Sequence, residues 1–233
     1  MTLPLPRSAA AEAITVWALC FAGILIGFLS YPPAGKVIAT VGFLYLPLLA
    51  GQTRAEDWPE FGFSTRTLKA DLLQFLAVSA VVFPLFIGGY VLFVTAWPQL
   101  PHEWTRIFTP YTTVPHFEFR LPPRFAEWVL DDVFVVAIPE ELFYRGYLQT
   151  RLRDAWPQGR TFFGAKLGPA FWVTAVLFAL GHLAIFQVWR LAVFFPALLF
   201  GWMRERSNSI IGAALVHGVS NLLIKVLDVS FFG

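Results

Sequence analysis

The feature that most constrains this chain is a series of long runs without Asp, Glu, Lys or Arg. Such runs cover residues 13–35, 37–53, 72–101, 167–189 and 207–224, and a shorter one covers 191–203. A helix needs about 20 mostly apolar residues to cross the hydrocarbon core of a bilayer. Only 14% of the residues are charged, against about 25% in ordinary globular domains, so the chain lacks the polar surface of a soluble protein.

A further segment, residues 125–148, is apolar overall but contains charged side chains, among them Asp131, Asp132, Glu140, Glu141 and Arg145. Counted with the uncharged runs, it gives about seven membrane helices. Backbone groups exposed to lipid must form hydrogen bonds within the protein, and apolar runs of this length do so as helices. The sequence therefore predicts an all-α, polytopic transmembrane helix bundle, with residues 1–233 forming a single integral membrane domain.

Charge and cysteine content exclude several other classes of protein. The net charge is +2 and the 17 Lys and Arg residues are scattered, so no basic stripe indicates a nucleic-acid binder. The single cysteine, Cys20, excludes an intramolecular disulfide framework and a Cys-rich zinc or iron–sulfur site. The partner that the composition itself predicts is the lipid bilayer.

Positive residues are unevenly distributed between the two predicted sides of the membrane. The N-terminus and the loops near 52–70, 149–167 and 204–208 carry ten Lys or Arg residues, and the opposite loops carry five. Because loops rich in Lys and Arg stay in the cytoplasm, we expect a cytoplasmic N-terminus. The length and the charge balance are typical of a bacterial protein, so we expect the bacterial inner (plasma) membrane.

Residues 98–123 form a loop that we expect to lie outside the membrane. It contains six prolines interleaved with five aromatic residues: Trp104, Phe108, Tyr111, Phe117 and Phe119. Loops longer than about 15 residues are often functional, and aromatic residues are enriched at membrane interfaces. A lid that grips substrate and a plain membrane-interface linker are both consistent with this composition.

Two adjacent carboxylates and an arginine stand out in the segment Ala-Ile-Pro-Glu140-Glu141-Leu-Phe-Tyr-Arg145. Charged groups are costly in lipid, so they must face the bundle interior or water. Glu141 and Arg145 are four residues apart and share a helical face, which predicts an ion pair. Glu140 points about 100° away and has no cationic partner in the local sequence. It is therefore a candidate general base, with a structural ion-pair cluster as the alternative.

Two later motifs place further polar groups in apolar runs. The motif Phe-Ala-Leu-Gly-His ends at His182, and the motif His-Gly-Val-Ser-Asn extends from His217 to Asn221, on one helical face. At about 1.5 Å of rise per residue, these three side chains and Glu140 lie roughly 12–21 Å from one side of the membrane. We therefore expect three helices to present them to a polar cavity near mid-membrane.

The order Glu-Glu-x-x-x-Arg, Phe-x-x-x-His, His-x-x-x-Asn, each in an apolar helix, resembles the CAAX-protease and bacteriocin-processing family. These proteins are glutamic-type intramembrane endopeptidases, and they include the Ras-converting CAAX endopeptidase. The resemblance covers residues 125–225, which we expect to form the catalytic core helices. The eukaryotic enzyme is associated with eight spans, so the resemblance implies seven or eight here.

The resemblance implies a role for each motif residue. Glu140 matches the glutamate that activates water, helped by His182. His217 and Asn221 match the pair that stabilises the oxyanion. Amide hydrolysis requires such a base and preorganised donors aimed at the developing oxyanion. The implied substrate is a protein or peptide with a membrane-associated terminus, such as a prenylated C-terminal motif, a leader peptide or a sorting tail.

Glu141 and Arg145 match supporting members of the first motif, and the resemblance implies no cofactor. One alternative keeps the same residues but uses zinc, which takes His and Glu ligands and keeps a position open for water. No HExxH helix occurs, and Arg145 beside Glu141 disfavours a cation. A second alternative is a non-catalytic membrane chaperone, scaffold or transporter subunit that uses the polar layer for binding.

Overall fold

The computed structural model describes residues 6–105, 111 and 114–233, and most of them are helical. The α-helices are α1 (Pro6–Ser30), α2 (Pro32–Gly51), α3 (Leu68–Ala96), α4 (His102–Thr105), α5 (Phe125–Leu130), α6 (Ile138–Glu141), α7 (Gln149–Ala155), α8 (Pro169–Gly181), α9 (Phe194–Ser207) and α10 (Ile211–Phe232). Strands β1 (Arg160–Phe162) and β2 (Ala165–Leu167) pair as a short antiparallel hairpin. The hairpin is a small departure from the predicted all-α chain.

Among the residues that the structure describes, four helical stretches are long and apolar enough to cross a membrane: Ala9–Ser30, Pro32–Gly51, Thr65–Gln99 and Ile211–Phe232. Their apolar side chains face outwards to a large extent, as Leu19 at 66% exposure and Leu85 at 72% exposure illustrate. A bilayer, and not water, is the solvent that such a surface requires. The prediction of a helical membrane protein is therefore confirmed.

The predicted run 167–189 does not form one continuous helix. Helix α8 ends at Gly181, and His182 begins a 3₁₀ turn that ends at Ile185. His182 Nδ1 lies 2.9 Å from the carbonyl oxygen of Phe178, so the ring satisfies an acceptor that the ending helix leaves free. His182 thus lies where the α-helix passes into a 3₁₀ turn, within the apolar helical stretch Pro169–Ile185.

The loop 98–123 lies partly outside the described residues, which exclude positions 106–110 and 112–113 and therefore Phe108. The last part of the loop lies alongside the C-terminal end of α10. The backbone N–H of Glu118 donates to the carbonyl of Ser230 at 2.8 Å, and that of Arg120 donates to Ser230 Oγ at 3.1 Å. This part of the loop therefore packs against α10, and its role as a lid stays a prediction.

The acidic helix, residues 125–155, extends from α5 to α7 and changes its hydrogen-bonding pattern along the way. The segments Asp131–Ala137 and Leu142–Leu148 are π-helical and flank the single α-helical turn Ile138–Glu141. That turn contains Pro139, which has no N–H to donate and whose ring crowds the preceding turn. A wider helix gives the ring room, and π-turns of this kind are frequent at functional sites.

Side chains from neighbouring helices bind backbone carbonyls of both π segments. Thr40 Oγ1 of α2 donates to the carbonyl of Val135 at 3.1 Å. Arg204 Nε of α9 donates to the carbonyl of Arg145 at 3.2 Å. Since buried carbonyl groups must find a donor, these two contacts fix the acidic helix in place between α2 and α9.

Aromatic side chains pack the acidic helix into the core. Phe143 and Tyr147 are fully buried. The ring of Phe143 lies 5.0 Å from that of Phe43 on α2, and the ring of Tyr144 lies 4.9 Å from that of Phe178 on α8. Aromatic pairs at such separations add about 0.5–1.5 kcal/mol beyond area burial. The helix that carries the two glutamates is therefore rigidly held on two sides.

Candidate active site

The six motif residues divide into a buried pair and a cavity-lining set. Glu141 and Arg145 have no exposed side-chain surface and do not line the cavity. The other four line a cavity of about 870 Å³ between α3, α10, the acidic helix, α8 and α9; they are Glu140, His182, His217 and Asn221. Three separate parts of the chain thus bring their polar groups to one space, as the spacing predicts.

The buried pair has the ion pair expected from its four-residue spacing. Arg145 Nη1 donates to Glu141 Oε1 at 2.9 Å. Arg145 also donates from Nη2 to the carbonyl of Ala197 at 3.2 Å, and its guanidinium carbon lies 4.3 Å from the ring centre of Phe178. Charged groups removed from water require such partners. Arg145 therefore joins the acidic helix to α8 and α9.

Glu141 also holds His217 of α10. His217 Nδ1 lies 2.9 Å from Glu141 Oε1, the same oxygen that accepts from Arg145. A carboxylate only accepts hydrogen bonds, so Nδ1 carries the hydrogen and donates. The hydrogen-bonded series Arg145–Glu141–His217 therefore connects the acidic helix to α10 and fixes the imidazole. Nε2 is left as the ring nitrogen that Glu141 does not engage.

Glu140 is a cavity residue with a buried carboxylate oxygen that lacks a hydrogen-bond donor among the described residues. Its side chain is 17% exposed, and Oε2 is buried without a hydrogen-bond partner among the described residues. The nearest cationic or imidazole nitrogen recorded for it is His217 Nε2, at 3.8 Å. A buried carboxylate oxygen without a donor is unusual in native proteins and calls for an explanation, such as a catalytic role.

His182 and Asn221 are two further motif residues that line the cavity. Because His182 Nδ1 donates to the carbonyl of Phe178, its Nε2 is an acceptor in the neutral ring. Asn221 is partly buried on α10, one turn beyond His217, and its amide makes no hydrogen bond to the described part of the chain. The cavity thus contains an acceptor nitrogen and an available amide beside the free carboxylate of Glu140.

A second, narrower cavity of about 190 Å³ meets the first at Glu140 and His182. Its wall is mostly apolar and comes largely from α1 and α2. Lys36 and Arg190 line both cavities. In the sequence, Lys36 and Arg190 are two of the five positive residues assigned to the less positive side of the membrane. Nothing in the sequence distinguishes them from other positive residues at the membrane surface.

Lys225 is a cavity-lining residue that the motif analysis missed although the spacing contains a signal for it. It lies four residues after Asn221 and eight after His217, hence on the same helical face. Its Nζ binds both carboxylate oxygens of Asp132, at 2.5 and 2.7 Å, and lies 4.1 Å from the ring centre of Trp128. This ion pair ties α10 to the start of the acidic helix.

Phe200 of α9 is a second contributor to the site that no sequence motif selects. Its ring stacks on the imidazole of His217 at 5.0 Å with an interplanar angle of 14°. The same ring lies 5.2 Å from the guanidinium carbon of Arg145. Phe200 therefore covers one face of the His217 ring, while Glu141 holds one edge of it.

The zinc alternative requires several side chains that converge on one ion. Zinc sites use at least three converging His, Cys, Asp or Glu side chains. No group of three or more such side chains is placed to hold a metal ion within residues 6–105, 111 and 114–233.

Comparison with known proteins assigns the part of the chain that carries these motifs. Residues 122–223 match the family model described as type II CAAX prenyl endopeptidase Rce1-like, and all six motif residues lie within the match. No curated protein and no solved structure matches the chain. The family is one of peptidases, so its substrates are proteins or peptides. Together with the four candidate spans among the described residues, the match shows an integral membrane protein whose residues 122–223 are similar to the Rce1-like CAAX endopeptidase family.

Proposed function

We propose that this protein is a glutamic-type intramembrane endopeptidase. It would hydrolyse a peptide bond near the terminus or the membrane segment of a protein or peptide substrate. The observation that carries the proposal is the buried, unpartnered Oε2 of Glu140 in the 870 Å³ cavity, beside the acceptor nitrogen of His182. A carboxylate that lacks a donor of its own is free to accept a proton from water.

In the proposed reaction, Glu140 takes a proton from a water molecule that His182 Nε2 orients by accepting a hydrogen bond. The resulting hydroxide attacks the scissile carbonyl carbon. The amide of Asn221 donates to the oxyanion that forms, and so does Nε2 of His217 in its imidazolium form, since Nδ1 already donates to Glu141. Fixed donors aimed at a developing charge are effective because they need no reorganisation during the reaction.

Glu141 and Arg145 act in this proposal only through His217. Their ion pair is fully buried, and Glu141 holds Nδ1 of the ring. Carboxylates that bind the far nitrogen of a catalytic histidine fix its tautomer and its orientation. Glu141 and Arg145 are therefore positioning residues, and they do not touch the substrate.

The proposal also includes an arrangement in the membrane. Residues 125–225 form the catalytic core, and the polar groups lie near mid-membrane in a bundle of seven or eight spans. The N-terminus is cytoplasmic, in a bacterial inner membrane, as the excess of Lys and Arg on one side favours. Substrate with a membrane-associated terminus would reach the cavity from within the bilayer.

The test uses Glu140→Gln in protein purified in detergent and incubated with a library of membrane-anchored peptides. General base catalysis contributes about 10²–10⁴-fold, so we expect kcat to fall by that factor. The thermal unfolding temperature should stay close to that of the wild type, since an amide removes a buried charge without changing the shape. The cleavage products are measured by mass spectrometry.

The matched control is Glu60→Gln, which makes the same chemical change at an exposed loop position. It should cleave at the wild-type rate. Undiminished cleavage by Glu140→Gln would remove the basis for a glutamic mechanism. Absence of cleavage by the wild type across the library would instead favour the chaperone or scaffold alternative.

A further inference from the structure

The imidazole of His217 is held so that only one of its nitrogens can exchange a proton with the cavity. Nδ1 donates to Glu141 Oε1 at 2.9 Å, and Arg145 binds the same oxygen. The ring face is covered by Phe200, stacked at 5.0 Å. A ring fixed at one edge and one face cannot turn to exchange its nitrogens, so Nε2 is the atom that gains or loses a proton.

Nε2 faces Glu140 Oε2, a buried cavity oxygen without a hydrogen-bond donor among the described residues. It lies 3.8 Å from Glu140 Oε2, which is within reach through a small movement or one bridging water. The other charged groups near the ring are Glu141 and Arg145, which already bind each other. A proton can therefore reside on His217 Nε2 or on Glu140 Oε2, and both residues line the cavity.

Hydrolysis of an amide needs a second proton transfer that the water-activation step does not supply. When the tetrahedral intermediate collapses, the carbon–nitrogen bond breaks only if the nitrogen receives a proton, because an amine leaves as a neutral molecule. The amide of Asn221 can donate a hydrogen bond but cannot give up a proton near neutral pH. A titratable group beside the nitrogen has to fill this role.

We propose that His217 Nε2 delivers the proton to the leaving nitrogen, in addition to its contact with the oxyanion. This inference rests on the proposed function, since it assumes that Glu140 accepts the proton of water. The Arg145–Glu141 pair assists this proton transfer because it keeps a hydrogen on Nδ1 of His217. The second proton of the imidazolium is then the one on Nε2, on the cavity side.

The proton balance closes without any external reactant. Glu140 takes one proton from water, and the hydroxide forms a bond to the carbonyl carbon. The imidazolium of His217 gives its Nε2 proton to the nitrogen as the carbon–nitrogen bond breaks, releasing an amine and a carboxylic acid. Glu140 then returns its proton across the 3.8 Å gap to Nε2, which restores both groups.

The experiment compares two substrates that differ only in the leaving atom. One is a peptide that the wild type cleaves, and the other is the same sequence with the scissile amide replaced by a thioester. A thiol has a pKa of about 8.5 and leaves as the thiolate without needing a proton. A proton donor to the leaving atom is therefore needed for the peptide and dispensable for the thioester.

For His217→Gln we expect amide cleavage to fall by about 10²–10⁴-fold, while thioester cleavage falls at least tenfold less. The control is Asn221→Ala, which removes an oxyanion donor and should slow both substrates by the same factor. An equal loss on both substrates for His217→Gln would overturn the proposal and leave His217 as an oxyanion donor only. Wild-type cleavage of both substrates by Glu140→Gln would instead overturn the proposed function.

A second variant covers the case in which His217→Gln fails to fold. Glu141→Gln retains the imidazole, but the amide it introduces can donate to Nδ1 and so move the ring hydrogen to Nε2. A neutral ring with hydrogen on Nε2 still donates to the oxyanion yet is a poor acid. We expect a selective loss of amide cleavage here too, and an unchanged amide-to-thioester ratio would contradict the proposal.

Discussion

Two sides of the same polar layer differ in how completely their groups are paired. On the closed side, Glu141 and Arg145 are fully buried, bind each other and bind groups on α9 and α10. On the open side, Glu140 and Asn221 face a cavity and lack hydrogen-bond partners among the described residues. Glu140 and Glu141 are adjacent in sequence, so a rotation of about 100° separates a carboxylate that binds Arg145 and His217 through Oε1 from one that makes no hydrogen bond to the described residues; Oε2 lacks a donor there in both.

The difference indicates which side maintains the fold and which side performs chemistry. Buried ions that bind each other make the fold more rigid. Removing one of the two lowers stability, because the other is left as an unpaired buried charge. Polar groups that lack a hydrogen-bond partner inside the protein lower its stability. Such groups are expected at functional sites. Closed-side substitutions should therefore lower stability, and open-side substitutions should lower activity alone.

The largest effect is expected on the closed side. Arg145→Met leaves Glu141 as a buried charge without its cation, and breaking a buried pair in this way costs about 3–5 kcal/mol. The free energy of unfolding, measured by denaturant titration in detergent, should fall by that amount, with a lower purified yield.

The control for this prediction is Arg124→Met, which breaks another ion pair, Arg124–Glu127, on the exposed surface of the protein. Exposed pairs contribute about 0–1 kcal/mol, so this variant should unfold almost like the wild type. Equal destabilisation by the two variants would mean that the closed side does not stabilise the fold more than a surface pair does.

A smaller free-energy change, confined to activity, is expected on the open side. Asn221→Ala removes a donor to the oxyanion, which typically costs about 2.7–4 kcal/mol, or 10²–10³-fold in kcat. Substrate binding in the ground state is mostly unaffected, so KM should change little. Single-turnover kinetics on the purified variant measure both quantities.

Ser220→Ala is the neighbouring control for Asn221. Ser220 also lines the cavity, but its hydroxyl donates back to the carbonyl of Val216 at 2.7 Å. It should therefore retain the wild-type kcat. If Asn221→Ala changes only KM, or behaves like Ser220→Ala, Asn221 is a packing residue and the oxyanion contact belongs to His217 alone.

The sequence predicts contacts well where they depend on spacing along one helix. The pair Glu141–Arg145 follows directly from a separation of four residues. The shared face of His217 and Asn221 follows in the same way. Membrane character follows from composition, because a chain with so few charged residues has no other solvent available to it.

Contacts between different helices could not be predicted in this way. The stacking of Phe200 on His217 depends on how α9 crosses α10, which no single-helix pattern encodes. The hydrogen bond from His217 to Glu141 has the same origin. The early end of α8 was missed because the run 167–189 continues to be apolar, while the break comes from a side-chain contact of His182.

The smallest effect is expected from removal of metal, and it tests the open side from another direction. A zinc enzyme would need Glu140, His182 and His217 to converge on one ion, yet no three such side chains do so in the described part of the chain. If the open side works through Glu140 as a base, exhaustive chelation followed by desalting should leave kcat and KM unchanged. Elemental analysis of the active protein should then show far less than one zinc per chain. The same treatment of a zinc peptidase serves as the positive control for chelation. Loss of cleavage with recovery on added zinc would mean that the open side rearranges around a metal, and the unpaired oxygen of Glu140 would then be a ligand position and not a base.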